Sequence, residues 1–350
     1  MSKRVAITHA VRTPIGKYLG SLSAITAPEL GTMAVKGLLE RAAIDPALIG
    51  ETFFGEGRQA GSGPNPGRQV AYNAGIPQEA PAWTVNQACA SGLRAIILAA
   101  QSIQLGENDV AVAGGVESMS NMPFMIENMR MGLRLGHHKL VDAMYKDGFV
   151  CPLSGDVMGK TAETLAQQHK ISRHEQDEFA LSSQHKAEAA IKAGHFDAEK
   201  LTLELKDRKG NATPFNTDEH ARAGADMAGL AKLAPVFDAA TGTVTAGNSS
   251  GITDGAAALL LMSEDKVNEL GLTPLAWFES WSQAGVDPAI MGIGPVPALK
   301  KLEAKTGRNS ADYDLIELNE AFAAQVIACH RELPLPMDRV NVNGGAIALG

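Results

Sequence analysis

Apolar positions recur along the chain with two periods, one near 3.6 residues and one typical of extended strands. The helical period is clear over 27–44 and again over 93–103, and short β-rich runs lie between such stretches. The uninterrupted apolar run 256–262 predicts a central strand that is covered on both faces. This alternation of strands and helices predicts an α/β fold.

Capping residues indicate where several of the predicted helices begin and end. Asn65 and Pro66 suit the N-cap and the first helical position of a short helix. Ser172 and Glu175 have the spacing of a capping box, which predicts a helix that extends to Gly194.

A weak internal repeat relates the two ends of the chain. A strand, a turn at Cys89, a helix and a strand leading into AGGVES form the first unit, and the same order with a turn at Asn319 ends in NGGAIALG. Two similar halves would place both turns near one shared site. Over 118–248 the alternation fades, and we interpret this region as an insertion that packs on the main domain.

Charge and cysteine content narrow the function classes. A formal net charge of −8 and a pI near 5.6 disfavour nucleic acid or an acidic membrane as partner. Three widely spaced cysteines match neither a disulfide framework nor a zinc site, and they indicate a reducing, cytoplasmic setting. The sequence shows no signal peptide, and no apolar run approaches the roughly 18 residues that a membrane span needs.

Cys89 lies where a predicted strand changes into an apolar helix, and two interpretations of it are open. As the first residue of that helix it would meet unpaired backbone N–H groups and the positive end of the helix dipole, which favour a thiolate nucleophile. The small residues Ala90, Ser91 and Gly92 would leave room for a substrate. A buried packing role is the alternative, since cysteine is among the most buried residue types.

Motifs along nearly the whole chain resemble those of the thiolase family, in the family's order, and favour the nucleophile interpretation. The matching stretches are RTPIG (12–16), GPNPGRQ (63–69), VNQACASGLRA (85–95), AGGVESMSNMP (113–123), MGKTAE (158–163), SRHEQDEFALSSQ (172–184), GTVTAGNSSGITDGAA (242–257), GIGPVPA (292–298), NEAFAAQ (319–325) and NVNGGAIALG (341–350).

The resemblance implies an α/β thiolase fold, with two βαβαβαββ halves in a five-layered αβαβα core and an inserted loop domain. It places the N-terminal half at 1–117 with 249–270, the inserted loop domain at 118–248, and the C-terminal half at 271–350. Thiolases are homodimers or homotetramers that act on acyl-CoA and CoA. Coenzyme A is their substrate, and they use no metal or redox cofactor.

The resemblance also implies site residues. Cys89 matches the cysteine that carries the acyl group as a thioester, and Asn319 matches the residue that holds a water in an oxyanion hole. A helix N-cap is the structural alternative for Asn319, and core packing is the alternative for the Met and Ala positions that follow. The positions that match coenzyme A contacts are Arg222, Ser250, Met158, Ala246, Met291, Ala321 and Phe322.

The match departs from the family pattern at two places. The family's His-Pro and Cys-x-Gly motifs would follow Gly350, so we expect a truncated chain with an incomplete second half and little or no thiolase activity. Val157 stands where acetoacetyl-CoA thiolases carry a histidine, and this favours longer 3-ketoacyl-CoA substrates.

Two alternatives to a thiolase enzyme remain open. A non-catalytic homologue that binds CoA or lipid is one, although the retained Cys89 and Asn319 disfavour it. A ketosynthase fits less well, because ketosynthases pair their cysteine with two histidines and this chain has the Asn319 motif.

Overall fold

The structure, a computed structural model, describes residues 3–206 and 209–350, and the largest sheet in this part of the chain is mixed. Seven strands form it, in the order β11-β1-β10-β5-β3-β4, with β2 paired to β10. Two hairpins, β6-β7 and β8-β9, lie outside it. The strands are β1 (Val5–Arg12), β2 (Gly16–Lys17), β3 (Glu51–Gly55), β4 (Ala82–Val85), β5 (Val110–Ser118), β6 (Phe124–Met125), β7 (Val141–Asp142), β8 (Leu203–Lys206), β9 (Ala212–Phe215), β10 (Thr253–Ser263) and β11 (Ala276–Phe278).

The helices agree with the helical periods and the capping signals in the sequence. Asn65 accepts a hydrogen bond from the Arg68 N–H as an N-cap, Ser172 and Glu175 form the predicted capping box, and Gly194 ends that helix. The helices are α1 (Ala27–Ala42), α2 (Pro66–Asn73), α3 (Ser91–Leu105), α4 (Met158–Gln168), α5 (Arg173–Ala193), α6 (Met227–Ala231), α7 (Glu264–Glu269), α8 (Pro295–Thr306), α9 (Ala323–Glu332) and α10 (Ala346–Leu349).

The predicted central strand is confirmed as β10, which pairs antiparallel with β1 on one side and with β5 on the other. Alternate side chains of a strand face opposite sides of its sheet. Leu260 accordingly packs in a core with α1 and α2, whereas Leu261 packs in a second core with α3. Both faces of β10 are therefore buried, which explains its continuous apolar run.

Helix α3 corrects the statement that no apolar run is long enough for a membrane span. The window Ala88–Leu105 has 18 residues and a mean hydropathy of 1.3, enough by length and composition alone. The helix itself begins at Ser91, and a helix of its length spans about 22 Å, less than the roughly 30 Å of a bilayer core. Its apolar face packs on the sheet, with Ala95, Ala99 and Ile103 fully buried.

Two compact units divide the chain, and each holds part of the predicted insertion. Residues 118–148 and 197–218 belong to the first unit, whereas 149–196 and 219–248 belong to the second, so 118–248 does not form one compact body. The predicted three-part division rests on family topology and stays a prediction. The first unit is Met1–Gly148, Asp197–Asp218 and Thr253–Glu279, and the second is Phe149–Phe196, Glu219–Ile252 and Ser280–Gly350.

Among its described residues, the second unit does not form a regular ladder where the sequence predicts two strands. Its two predicted strands near 316 and 340 meet in an isolated parallel bridge between Ile316 and Val340. Beyond that bridge the Asn341 side chain replaces the ladder, because it accepts the Leu318 N–H at 2.8 Å and donates to the Leu318 carbonyl at 2.8 Å. Asn341 is in the left-handed region, with φ +46°, and this turns the chain away from a strand.

Candidate active site

Cys89 lies exposed in the turn between β4 and α3. The prediction that it is the first residue of the helix is wrong, since α3 begins at Ser91. Ala88, directly before the thiol, has a φ of +49°. A residue with a Cβ atom rarely adopts this left-handed conformation, so contacts around the turn must hold it.

A glycine lets the start of α3 lie against the end of β3. A Cβ atom on Gly55 would lie 2.4 Å from the Ser91 carbonyl carbon and 2.5 Å from the Gly92 nitrogen. Any larger residue at Gly55 would therefore displace the start of the helix and the Cys89 turn with it. Ser91 is only 4% exposed and lies in the packed start of the helix. That the small residues Ala90, Ser91 and Gly92 leave room for a substrate stays a prediction.

Two carboxyl groups lie at the same end of the sheet as the Cys89 turn. Glu117 accepts hydrogen bonds from the backbone N–H groups of Gly57 and Arg58, each at 3.0 Å. Glu56 is 1% exposed, and its pKa is raised to about 7, mainly by burial. The hydrogen bond from Ser62 lowers this pKa, whereas the charge of Glu117 raises it further. Burial likewise raises the pKa of Glu117.

The other two cysteines differ from Cys89 in their surroundings. Cys329 is 2% exposed, its thiol donates to the Gly292 carbonyl, and burial raises its pKa to about 11, which confirms its predicted packing role. Cys151 is half-buried, and the N–H groups of Ser154 and Leu153 lower its pKa. Cys89 and Cys151 are therefore the thiols open to a reagent.

Asn319 is exposed in the segment before α9. Phe322 is the N-cap of α9, so the alternative that Asn319 caps this helix is wrong. The next residue, Glu320, is 1% exposed and accepts hydrogen bonds from Ser183 Oγ at 2.7 Å, Asn341 Nδ2 at 2.8 Å and the Ile347 N–H at 3.1 Å. Glu320 thus holds the segment of Asn319 in place.

The residues predicted to contact coenzyme A all belong to the second unit, and several lie on adjoining elements. The Ser250 N–H donates to the Ala321 carbonyl at 3.0 Å. The Phe322 ring lies edge-on to the Phe237 ring, with centroids 6.4 Å apart. Phe237 in turn covers Gly159, which follows Met158, so closely that a Cβ on Gly159 would lie 1.9 Å from the ring.

Arg222 is exposed, and its backbone N–H donates to Gln184 Oε1 at 3.1 Å. The nearby His220 ring lies over Gly251, where a Cβ would come within 2.4 Å of the ring. Burial and then the charge of Arg222 lower the pKa of His220. Of the remaining positions, Ala246 is exposed and Met291 is half-buried.

Glu163 positions the segment that carries Ala246 and Ser250, and sequence analysis missed it. It is 5% exposed and accepts the Thr243 N–H at 2.9 Å, the Thr243 hydroxyl at 2.9 Å and the Val244 N–H at 2.8 Å. Its only sequence signal is a charged residue among the buried positions of α4. Among residues 3–206 and 209–350, no group of three His, Cys, Asp or Glu side chains is placed to hold a metal ion.

Comparison with known families shows which family the chain belongs to. The family model described as Thiolase, N-terminal domain, matches residues 5–265, and that described as Thiolase, C-terminal domain, matches residues 272–350. The chain belongs to the thiolase family. The gap between the two matches contains the predicted boundary between the halves at 270 and 271.

Relatives and solved structures agree with membership of the thiolase family. The acetyl-CoA acetyltransferase of Cupriavidus necator is 49% identical over 346 residues, 99% of this chain and 88% of that protein. The crystal structure of the Bacillus anthracis acetyl-CoA acetyltransferase has a TM-score of 0.96 at 43% identity, over 100% of this chain and 88% of that one. Human mitochondrial 3-ketoacyl-CoA thiolase in complex with CoA has a TM-score of 0.94 at 41% identity, over 99% and 87%.

These matches confirm the mixed α/β thiolase fold and correct one expectation. Both thiolase domains are represented, so the expected incomplete second half is not supported. Within the second unit, Ile347 of α10 is 1% exposed and shares a core with Ala180 and Ala323.

Proposed function

We propose that this thiolase is an acyl-CoA acyltransferase whose acyl group is carried as a thioester on Cys89. The observation that carries the proposal is the exposed thiol of Cys89 in a constrained strand-to-helix turn, within a chain of this family. Such a turn holds a nucleophile out from the end of a sheet. The relatives' names, acetyl-CoA acetyltransferase and 3-ketoacyl-CoA thiolase, support the substrate class.

The chemistry requires two acyl transfers. The Cys89 sulfur attacks the 3-keto carbon of a 3-ketoacyl-CoA, the bond between that carbon and the α carbon breaks, and the α carbon takes a proton to give acetyl-CoA. The thiol of free CoA then attacks the thioester, and Cys89 regains a proton. Condensation of two acetyl-CoA molecules is the reverse. Backbone N–H groups at the Cys89 turn and a water held by Asn319 would stabilise the two oxyanions.

Coenzyme A would lie along the second unit, as a substrate and with no metal or redox cofactor. Arg222 would meet its phosphates, because a guanidinium binds phosphate well, and its exposure leaves it free to do so. Ser250 would contact the pantetheine amide. Met158, Ala246, Met291, Ala321 and Phe322 would line the pantetheine path.

Three further properties belong to this proposal. The enzyme is cytoplasmic and acts on longer 3-ketoacyl-CoAs, since Val157 replaces a histidine, and a chain-length series tests the second point. It binds neither nucleic acid nor membrane. It is a homodimer or homotetramer that pairs through the edge strand β4, where Trp83 is 53% exposed, and sedimentation that gives a monomer would contradict this.

The decisive experiment is the acylation half-reaction. Incubation with acetyl-CoA should add the mass of one acetyl group to the intact protein and release CoA thiol. Cys89→Ser should abolish the release of thiol and the thioester, whereas Cys151→Ser, at the other accessible thiol, should leave both unchanged. Acylation that survives in Cys89→Ser would refute the proposal.

The same experiment separates the enzyme from a non-catalytic binding protein. Saturable binding of CoA with no acylation of the wild-type chain would support the binding protein. Little or no turnover by the 350-residue chain stays a prediction, and steady-state thiolysis of acetoacetyl-CoA measures it.

A further inference from the structure

The conformation of Ala88 sets the direction of the Cys89 side chain, because the two residues share a peptide bond. A left-handed conformation is strained for a residue with a Cβ, so it persists only where the surroundings determine it. Ala88 has this conformation, with φ +49°.

Two side chains hold the backbone of Ala88 from opposite sides. The Ala88 N–H donates to Asn86 Oδ1 at 3.0 Å, and Asn86 Nδ2 is itself anchored on the Gly57 carbonyl at 3.0 Å. The Ala88 carbonyl accepts the Ser91 hydroxyl at 2.6 Å, and that hydroxyl accepts the Gln87 N–H at 2.9 Å. Both backbone polar groups of Ala88 are therefore held by a side chain that is itself held.

We propose that Ser91, together with Asn86, is a positioning residue for the Cys89 nucleophile. It acts by holding Ala88 in its left-handed conformation and touches no reacting atom. Ser91 is suited to this because its hydroxyl donates one hydrogen bond and accepts another from within the packed start of α3. This inference rests on the proposed role of Cys89 as nucleophile.

If Ser91 positions the Cys89 thiol, replacing Ser91 should change the rates of two reactions of that thiol by different factors. Acyl transfer from acetyl-CoA requires the sulfur at one angle and distance to a bound carbonyl, and a displacement of about 1 Å in such a geometry costs as much as a hundredfold in rate. Alkylation by iodoacetamide, a small reagent that approaches an exposed thiol from many directions, has no such requirement.

The test compares Ser91→Ala with wild type in both reactions. We expect acylation of Cys89 to slow by a factor of about 30 while its alkylation rate, followed from pH 6 to pH 9 by peptide mass, changes by less than about threefold. Asn86→Asp, which keeps the acceptor for the Ala88 N–H but loses the donor to Gly57, should give a smaller loss of the same kind.

Ser263→Ala is the matched control. Ser263 is fully buried, donates its hydroxyl to Asp109 at 2.8 Å and accepts the Lys266 N–H at 3.3 Å, at the opposite end of β10 from the Cys89 turn. Ser263→Ala should lose about as much folding stability as Ser91→Ala, while its Cys89 should be acylated at the wild-type rate.

Three outcomes would overturn the positioning role. The first is that folded Ser91→Ala is acylated at the wild-type rate. The second is that its acylation and alkylation rates fall by the same factor. The third is that Ser263→Ala loses as much of the acylation rate as Ser91→Ala. If Ser91→Ala does not fold, Asn86→Asp decides by the same ratio of rates. Failure of the proposed function would be distinct, because wild-type Cys89 would then not acylate at all.

Discussion

Replacing Glu163 with glutamine is expected to lower the free energy of unfolding by about 3 kcal/mol, because buried hydrogen bonds to a charged group are worth about 1.5–3 kcal/mol each. The carboxylate accepts the Thr243 N–H, the Thr243 hydroxyl and the Val244 N–H. A glutamine amide has one acceptor oxygen, so its NH₂ group would face donors that it cannot accept. Chemical denaturation of Glu163→Gln and wild type measures the difference.

The same variant should bind CoA more weakly, since the loosened segment carries Ala246 and Ser250. Glu303→Gln is the control: Glu303 is half-buried and accepts the Ser310 N–H at 2.9 Å. It should cost less than about 1 kcal/mol, as is usual for a single partly exposed hydrogen bond. Equal stability of the two variants would show that the Glu163 contacts do not hold the segment.

The stability of the protein is expected to fall as pH rises from about 5 to 8, through the titration of Glu56. Its folded pKa of about 7 lies above the 4.5 of the free side chain. The contribution of a carboxyl whose folded pKa is raised is fully present below the unfolded pKa and is lost as the pH rises through the folded pKa. The loss amounts to about 3 kcal/mol at 1.36 kcal/mol for each pKa unit.

Glu56→Gln should remove this dependence, because a neutral amide replaces the buried carboxyl. The variant should therefore gain stability relative to wild type as the pH rises from 5 to 8, as measured by denaturation at a series of pH values. Ser62→Ala removes the hydrogen bond that lowers the pKa of Glu56, so it should move the loss of stability to higher pH. Parallel curves for wild type and Glu56→Gln would rule out this assignment.

Features that depend on neighbouring residues agree between sequence and structure. The N-cap at Asn65, the capping box of Ser172 with Glu175, and the end of α5 at Gly194 all involve hydrogen bonds within one turn of helix. The apolar run of β10 must be buried on both faces, whichever segments of the chain pack against it. Such features follow from local chemistry, which the sequence states directly.

Sequence-based predictions were wrong or absent for features that depend on distant segments of the chain. The start of α3 at Ser91 is set by the left-handed Ala88 and by the approach of Gly55, and neither is visible in the helical period. The strand predicted near 340 is replaced by side-chain hydrogen bonds from Asn341 to Leu318. Glu163 meets Thr243 across 80 positions of chain.

The sequence by itself determined the family, the α/β class, the order of most elements and the cysteine proposed as nucleophile, because each is written in motifs or periods of adjacent residues. Only the tertiary structure decided how that cysteine is held and which carboxylates are buried. Four carboxyl groups receive their hydrogen bonds only because the fold brings the donors to them. They are those of Glu56, Glu117, Glu163 and Glu320. The burial that raises the pKa of Glu56 likewise exists only where separate segments pack together.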